Sequence, residues 1–248
     1  MTDKQSRVPV YLQAQQFIEE LIDGADYGPG DHIPSERALA EQLKINRMTV
    51  RKAIDRLVLA GRLERNSTSG TRIPTPRLLR SVEPAQNSRS LARVIQLSGG
   101  TPSNRLLHFQ LSTAQDSIAG HLAIPVGSSV VVIRRLWRVD ETPICVETSY
   151  IPAEYVPGMD AEDLTAGQSL YSLLSERYGI VTGASTRTIS VHTPTKMEAE
   201  ALMLPDHSAT LLLRLVVSDA KGRPIEYMHS VNHPIHVNFT TTDQASRT

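Results

Sequence analysis

The sequence predicts an α+β chain of two domains: a small helical unit, then a larger antiparallel sheet with helices packed on it. Three observations carry this. Residues 34–61 hold two short runs of apolar residues at helical spacing around a tight turn. Beyond residue 91, β-branched runs alternate with short helices and hairpin turns. The charge is also uneven. Lys+Arg and Asp+Glu balance at 26 each, yet Lys44 to Arg80 contain ten basic residues and only two acids, Asp55 and Glu64. The expected boundaries are 8–75 for the first domain, 76–90 for a linker and 91–242 for the second.

A first helix is expected over Val8–Asp23, opened by Pro9, with Leu12, Ile18, Leu21 and Ile22 as its buried stripe. The run YGPGDHIP (27–34) is a turn by composition. Ser35 has the chemistry of an N-cap, and Leu39, Ala40 and Leu43 give a second helix closed by Ile45. Asn46 caps a third, whose Val50, Ala53, Ile54 and Leu57 fall on one face. Arg47, Met48, Arg51, Lys52 and Asp55 fall on the other, and Gly61 ends it. RLERNSTSGTRIP then reads as two short strands around a small-residue turn. Pro74, Pro76 and residues 77–90 lack apolar periodicity and read as linker.

The third helix pairs a thin apolar stripe with arginines at its first turn. A helix of this width fits the major groove of B-DNA, and an arginine there bonds guanine O6 and N7 together. An ordinary solvated helix carries similar charge, so the specific string decides. PSER, an apolar helix, and NRMTVRKAIDRL closely resemble the winged helix-turn-helix of the GntR family of bacterial transcription regulators. The PVYLQ opening and the PGDHIP loop fit that family too. The resemblance implies DNA contacts at Ser35, Arg37, Arg47, Thr49, Arg51, Lys52 and Gly70. Arg47 and Arg51 would read bases, Arg37 a base or a phosphate, and Ser35, Thr49 and Lys52 would hold phosphates. Thr68 stands where the family's wing tip has its first glycine, which weakens the expectation of a base contact by the wing.

In the second part LARVIQL reads as a short helix and residues 105–113 as a strand. Asp116 is expected to cap a helix to Leu122. SSVVVIRRLWRV (128–139) and PICVETSYIP form a hairpin around DET. Ser169 is expected to cap LYSLLSERYG, and Gly179 to end it. STRTISVHT (185–193) is a strand, and Thr195 caps KMEAEALML. Residues 209–219 and 224–239 form a last hairpin. This order, with RLWRVDETPICVETSYIP, SLYSLL and GRPIEY, resembles the UTRA effector-binding domain of the HutC subfamily, which has the chorismate lyase fold. The resemblance implies effector contacts at Arg135, Trp137, Glu147, Ser169, Tyr171 and Glu226. Arginine grips anions with two bonds, and glutamates accept from hydroxyls or amines. Arg135 and Glu147 also suit a plain cross-strand pair. Trp137 replaces an arginine usual in the family. One fewer cation is therefore expected, with a less charged effector or one whose flat part stacks on the indole.

The reading that follows is a metabolite-responsive regulator, a repressor acting as a homodimer on a palindromic double-stranded DNA operator. An anionic or polar small molecule would release it. The alternatives are an enzyme built on the chorismate lyase-like domain and an architectural DNA binder. No nucleophile–base pair or phosphate loop supports catalysis, so no catalytic residue or cofactor is expected. His229, His233 and His236 lack the spacing of a zinc motif, so no metal is expected either. No apolar run spans a membrane, the N-terminus lacks a signal-peptide core, and Cys145 is the single cysteine, which fits the cytoplasm.

Overall fold

The computed structural model describes residues 8–66, 70–75, 77–82, 90–165 and 169–241. The chain divides into two compact units between Pro76 and Arg77. Thr68 and residues 83–89 of the expected linker lie outside the described residues.

The first unit contains α1 (Val10–Asp23), α2 (Glu36–Leu43), α3 (Arg47–Leu59), β1 (Glu64–Asn66) and β2 (Gly70–Arg72). Pro9 precedes the first turn of α1. Its fully buried residues are Ala14, Ile18 and Ile22; Leu12 and Leu21 are only half-buried. Ala14 is too small to stand out in a hydrophobic stripe read from sequence. Ser35 Oγ accepts from the Ala38 amide at 3.2 Å, and Asn46 Oδ1 accepts from the Met48 amide at 2.8 Å. Each side chain satisfies an amide that its helix leaves unpaired. Between them Lys44 takes a left-handed conformation (φ 55°), which gives the tight turn. Val50, Ala53, Ile54 and Leu57 are buried against Ile18, Leu39 and Leu63. β1 and β2 pair antiparallel, with Glu64 opposite Arg72.

The second unit is built on a six-stranded antiparallel sheet in the order β4-β5-β6-β9-β8-β7. Its strands are β4 (Pro102–Thr113), β5 (Ser129–Val139), β6 (Thr142–Pro152), β7 (Thr182–His192), β8 (Thr210–Asp219) and β9 (Pro224–Asn232). β5 and β6 turn through Asp140 and Glu141, both at positive φ (46° and 67°), as a two-residue hairpin loop of matching twist requires. β5 is buried along nearly its whole length because both faces of the sheet are covered. On one face α7 (Leu170–Tyr178) packs Leu170, Leu173 and Leu174 against Ile133, Leu215 and Met228. On the other, α5 (Asp116–Leu122) covers Val130, Val132 and Tyr227, and Leu202, just after α8 (Lys196–Ala201), covers Leu136, Val146 and Val231. Thr195 and Glu198 form a reciprocal cap on α8.

Four expectations are corrected. Leu78–Ser81, read as linker, is a strand (β3) that pairs parallel with β10 (Val237–Thr240). Four residues are too few for a periodicity to show, and the partner lies more than 150 positions away. The last strand is not continuous to Phe239. β9 stops at Asn232, and Pro234, which has no amide hydrogen to donate, lies in the turn before β10. Asp116 is the first residue of α5, not its cap; Gln115 holds that place with no side-chain bond. Ser169 does occupy the N-cap of α7, but its hydroxyl makes no capping bond.

The turn after β9 has a pH-sensitive joint. His233 is 6% exposed, stacks on His236 at 4.0 Å, and its Nδ1 accepts from the amides of Ile235 and His236 at 3.3 Å each. Only an unprotonated Nδ1 can accept. Burial, then the neighbouring His236, push the His233 pKa down to about 3. A base with a depressed folded pKa contributes stability that is complete above its unfolded value and is lost as pH falls towards the folded one. The full chain is expected to lose about 2 kcal/mol of urea stability at this joint between pH 7 and pH 5. His233→Asn, which keeps an acceptor but does not titrate, is expected to flatten that slope.

Candidate functional site

The first candidate site is a shallow concavity on the N-terminal unit lined by Ser35, Glu36, Arg37, Arg47, Arg51, Arg65 and Gly70. Arg47 stands exposed on the first turn of α3, and Arg51 follows one turn later on the same face. Glu36 organises the group. Its carboxylate receives Arg51 at 3.0 Å and Arg65 at 3.3 Å, and Arg65 also reaches Asp55 at 2.8 Å. Arg37 is paired with Glu41 at 3.0 Å. Gly70 opens β2 at φ 96°, a conformation that a side chain would strain. Thr49 and Lys52 lie on α3 but not in the concavity; the Lys52 ammonium rests 4.2 Å from the Tyr11 ring centre. The structure thus brings together five of the seven residues expected to touch DNA. It adds Arg65, whose place on the wing strand gave no signal of its own in the sequence.

The second candidate site is a cavity in the C-terminal unit between the sheet and the helices α4 (Leu91–Leu97) and α7, with β3 at its side. All six residues expected there line it: Arg135, Trp137, Glu147, Ser169, Tyr171 and Glu226. Strand alternation explains the grouping. Arg135 lies opposite Glu147, and Glu147 opposite Ser230, so their side chains share a face. Glu226 and Met228 follow that face along β9, and Leu215 faces Met228 from β8.

Arg135 and Glu147 are cross-strand neighbours, but the ion pair of Glu147 is with Arg80, at 3.3 Å. Arg80 comes from β3 and also donates to Ser230 Oγ and Asn232 Oδ1, each at 2.9 Å. The Arg135 guanidinium lies over the Trp137 ring, 5.2 Å from its centre. The indole face expected to receive a ligand is therefore shared with that cation. Two further cations, Arg80 and Arg187, line the cavity beside Arg135. Neither carries a signal in the sequence as a cavity residue, because Arg80 sits in a segment without periodicity and Arg187 on a strand without a motif.

Glu226 is 2% exposed and accepts from the Tyr171 hydroxyl at 2.7 Å. Burial raises its pKa, against the bonds from Ser149 and Tyr171 and the charge of Arg135. Burial, then the Glu226 charge, holds the Tyr171 hydroxyl well above its ordinary range. Cys145, on β6, is wholly buried; burial, then Glu147, push its thiol up to about 12. Trp137 Nε1 is buried with no hydrogen-bond partner among the described residues. The cavity therefore offers arginines for an anion and a Glu226–Tyr171 pair for a hydroxyl or amine.

Comparison with known proteins agrees with this division. The family model described as "UTRA domain" matches residues 97–236, and "Bacterial regulatory proteins, gntR family" matches residues 10–73. The chain is 28% identical to YurK of Bacillus subtilis, an uncharacterized HTH-type transcriptional regulator, over 97% of this chain and 98% of that one. It is also 28% identical to NagR of Bacillus subtilis, an HTH-type transcriptional repressor, over 92% of each. The crystal structure of PhnF from Mycobacterium smegmatis superposes with a TM-score of 0.64 at 27% identity, covering 94% of this chain and 100% of that one. The chain belongs to the GntR family of bacterial regulatory proteins, in the HutC-type branch that carries a UTRA domain, and is a DNA-binding transcriptional regulator responsive to a small molecule.

Proposed function

We propose that this regulator is a repressor that binds a palindromic operator as a homodimer in the cytoplasm and releases it when an anionic or polar metabolite enters the C-terminal cavity. The single observation that carries the DNA side is α3 itself. Its apolar stripe is spent on the core, and Arg47, Arg51 and Ser35 are left exposed around its first turn. In a helix-turn-helix that turn enters the major groove. Arg47 and Arg51 read bases, Arg37 reads a base or a phosphate, and Ser35, Thr49, Lys52 and Gly70 meet the backbone. A two-fold protein meets a two-fold site, so occupancy of the effector domain acts through the spacing of two heads. Arg135, Trp137, Glu147, Ser169, Tyr171 and Glu226 are the proposed effector contacts, favoured by their convergence on one cavity.

The test is fluorescence anisotropy on duplexes selected from a random pool, at fixed salt. Arg47→Ala is expected to lose about 1–3 kcal/mol and to relax preference at one base position. Lys52→Ala is expected to weaken all sequences alike and to lower the salt slope by about one. A wild-type protein that selects no sequence would end this reading.

A further inference from the structure

The geometry points to a second cationic pole in the effector cavity, formed by Arg187 and Arg80, and hence to an effector that carries a negative group at each of two ends. The inference rests on the reading of this cavity as the effector site, and it names the class of ligand the site takes.

The pole is built from residues far apart in sequence. Arg187 sits on β7 opposite Leu215, which faces Met228 in the neighbouring pair, so it belongs to the face that carries Arg135 and Glu147. Its guanidinium donates to the Ser81 carbonyl at 2.8 Å, while its Nε is buried with no partner among the described residues. Arg80 is close enough for its charge to bear on Arg187: burial, then Arg80, bring the Arg187 pKa down to about 10. Two like charges held together in a partly buried place ask for an anion between them.

The resident charges do not supply one. Glu147 is paired with Arg80. Among the described residues, neither Arg135 nor Arg187 has a carboxylate within 4.0 Å. Glu226 is engaged by Tyr171, and burial disfavours its charged form. Three guanidiniums thus line a cavity in which one carboxylate is firmly paired with Arg80; Arg135 feels Glu226 without an ion pair to it, and Arg187 has no ion-pair partner among the described residues. A guanidinium offers a planar fork of donors that fits a carboxylate or a phosphate.

The two guanidiniums enter the cavity from opposite sides, and both reach towards Tyr171. Their strands, β5 and β7, are four spacings from each other in the sheet order, roughly 19 Å between backbones at about 4.8 Å per strand, and the side chains close part of that gap by reaching inward. Arg135 has Trp137 and the Glu226–Tyr171 pair around it; Arg187 has Arg80 and the Ser81 carbonyl. A single carboxylate has one planar edge to offer and meets one guanidinium fork squarely. A molecule with two separated negative groups meets both, and its middle would lie along Tyr171 and Met228.

Calorimetry on the full chain tests this with three probes: adipate, with a carboxylate at each end; 3-phosphoglycerate, with a phosphate and a carboxylate; and hexanoate, with one carboxylate. The wild type is expected to bind adipate or 3-phosphoglycerate on the order of tenfold more tightly than hexanoate. The better of the two tells whether the second group is a carboxylate or a phosphate. Arg187→Gln should remove that advantage without changing hexanoate, and Arg187→Lys should restore part of it. Two-ended probes that bind no better than hexanoate, or an advantage that survives Arg187→Gln, would overturn the second pole. If Arg135→Gln weakens every probe while Arg187→Gln weakens none, the effector cavity stands and only the second pole falls. Probe binding indifferent to both arginines would remove the cavity reading as well.

Discussion

Glu147→Ala is expected to destabilise the C-terminal unit by about 3–5 kcal/mol, because it removes one member of a buried ion pair and strands the other. Glu147 is 6% exposed and receives Arg80 from β3. Without its carboxylate, Arg80 keeps neutral partners alone, Ser230, Asn232, the Cys145 sulfur and the Phe239 ring, and the cavity holds three guanidiniums with Glu226 as their remaining carboxylate. Glu147→Gln retains an acceptor at the same place and should cost clearly less. Urea unfolding of the full chain reads both. A loss below about 1 kcal/mol for the alanine variant would mean that water already screens the pair, as it does for exposed pairs. An added anion that restores stability to the alanine variant would show that charge, not packing, is what was lost.

Ile54→Ala is expected to cost about 2–5 kcal/mol, as large-to-small changes in tight cores do. Ile54 is fully buried on α3 and shares its cluster with Leu39 and Leu57. The N-terminal unit spans only residues 1–76, and small units have little stability in reserve. The variant should therefore lose operator affinity by unfolding its head, with an early transition in urea or on heating. Arg47→Ala should lose affinity with that transition unmoved. The two variants separate the stripe that holds the helix from the face that reads. An Ile54→Ala protein with an unchanged early transition would show that the core closes around the lost methyl groups.

What could be read from the sequence follows the range of the interaction concerned. Caps and stripes are local. Ser35, Asn46 and Thr195 satisfy amides two or three residues away, and Val50, Ala53, Ile54 and Leu57 repeat at a helical period, so all were legible. Arg135, Glu147 and Glu226 were legible through the family resemblance, and the strand register then puts them on one face. Pairings across the chain were not legible. β3 finds β10 by parallel register, and a strand of four residues leaves no pattern to find. Arg80 and Arg187 are not legible as cavity residues for that reason: Arg80 reads as part of the basic run that ends the first lobe, neither belongs to a motif, and only the closed sheet brings them together. Ser169 and Asp116 show a different limit. Both are residue types that cap helices, yet neither side chain makes a capping bond here, because composition gives the capacity for a bond and not its geometry.

The single thiol of this chain has a practical consequence for watching it work. Cys145 is shut inside the sheet and its proton is held far more tightly than in a free cysteine, so maleimide reagents will pass it by at neutral pH. A new cysteine at an exposed position of α2, such as Gln42→Cys, would then take a spin label alone, with no need to remove the native sulfur. Dipolar spectroscopy on such a protein would measure the separation between the two labelled heads of the proposed dimer directly, with and without a small molecule bound.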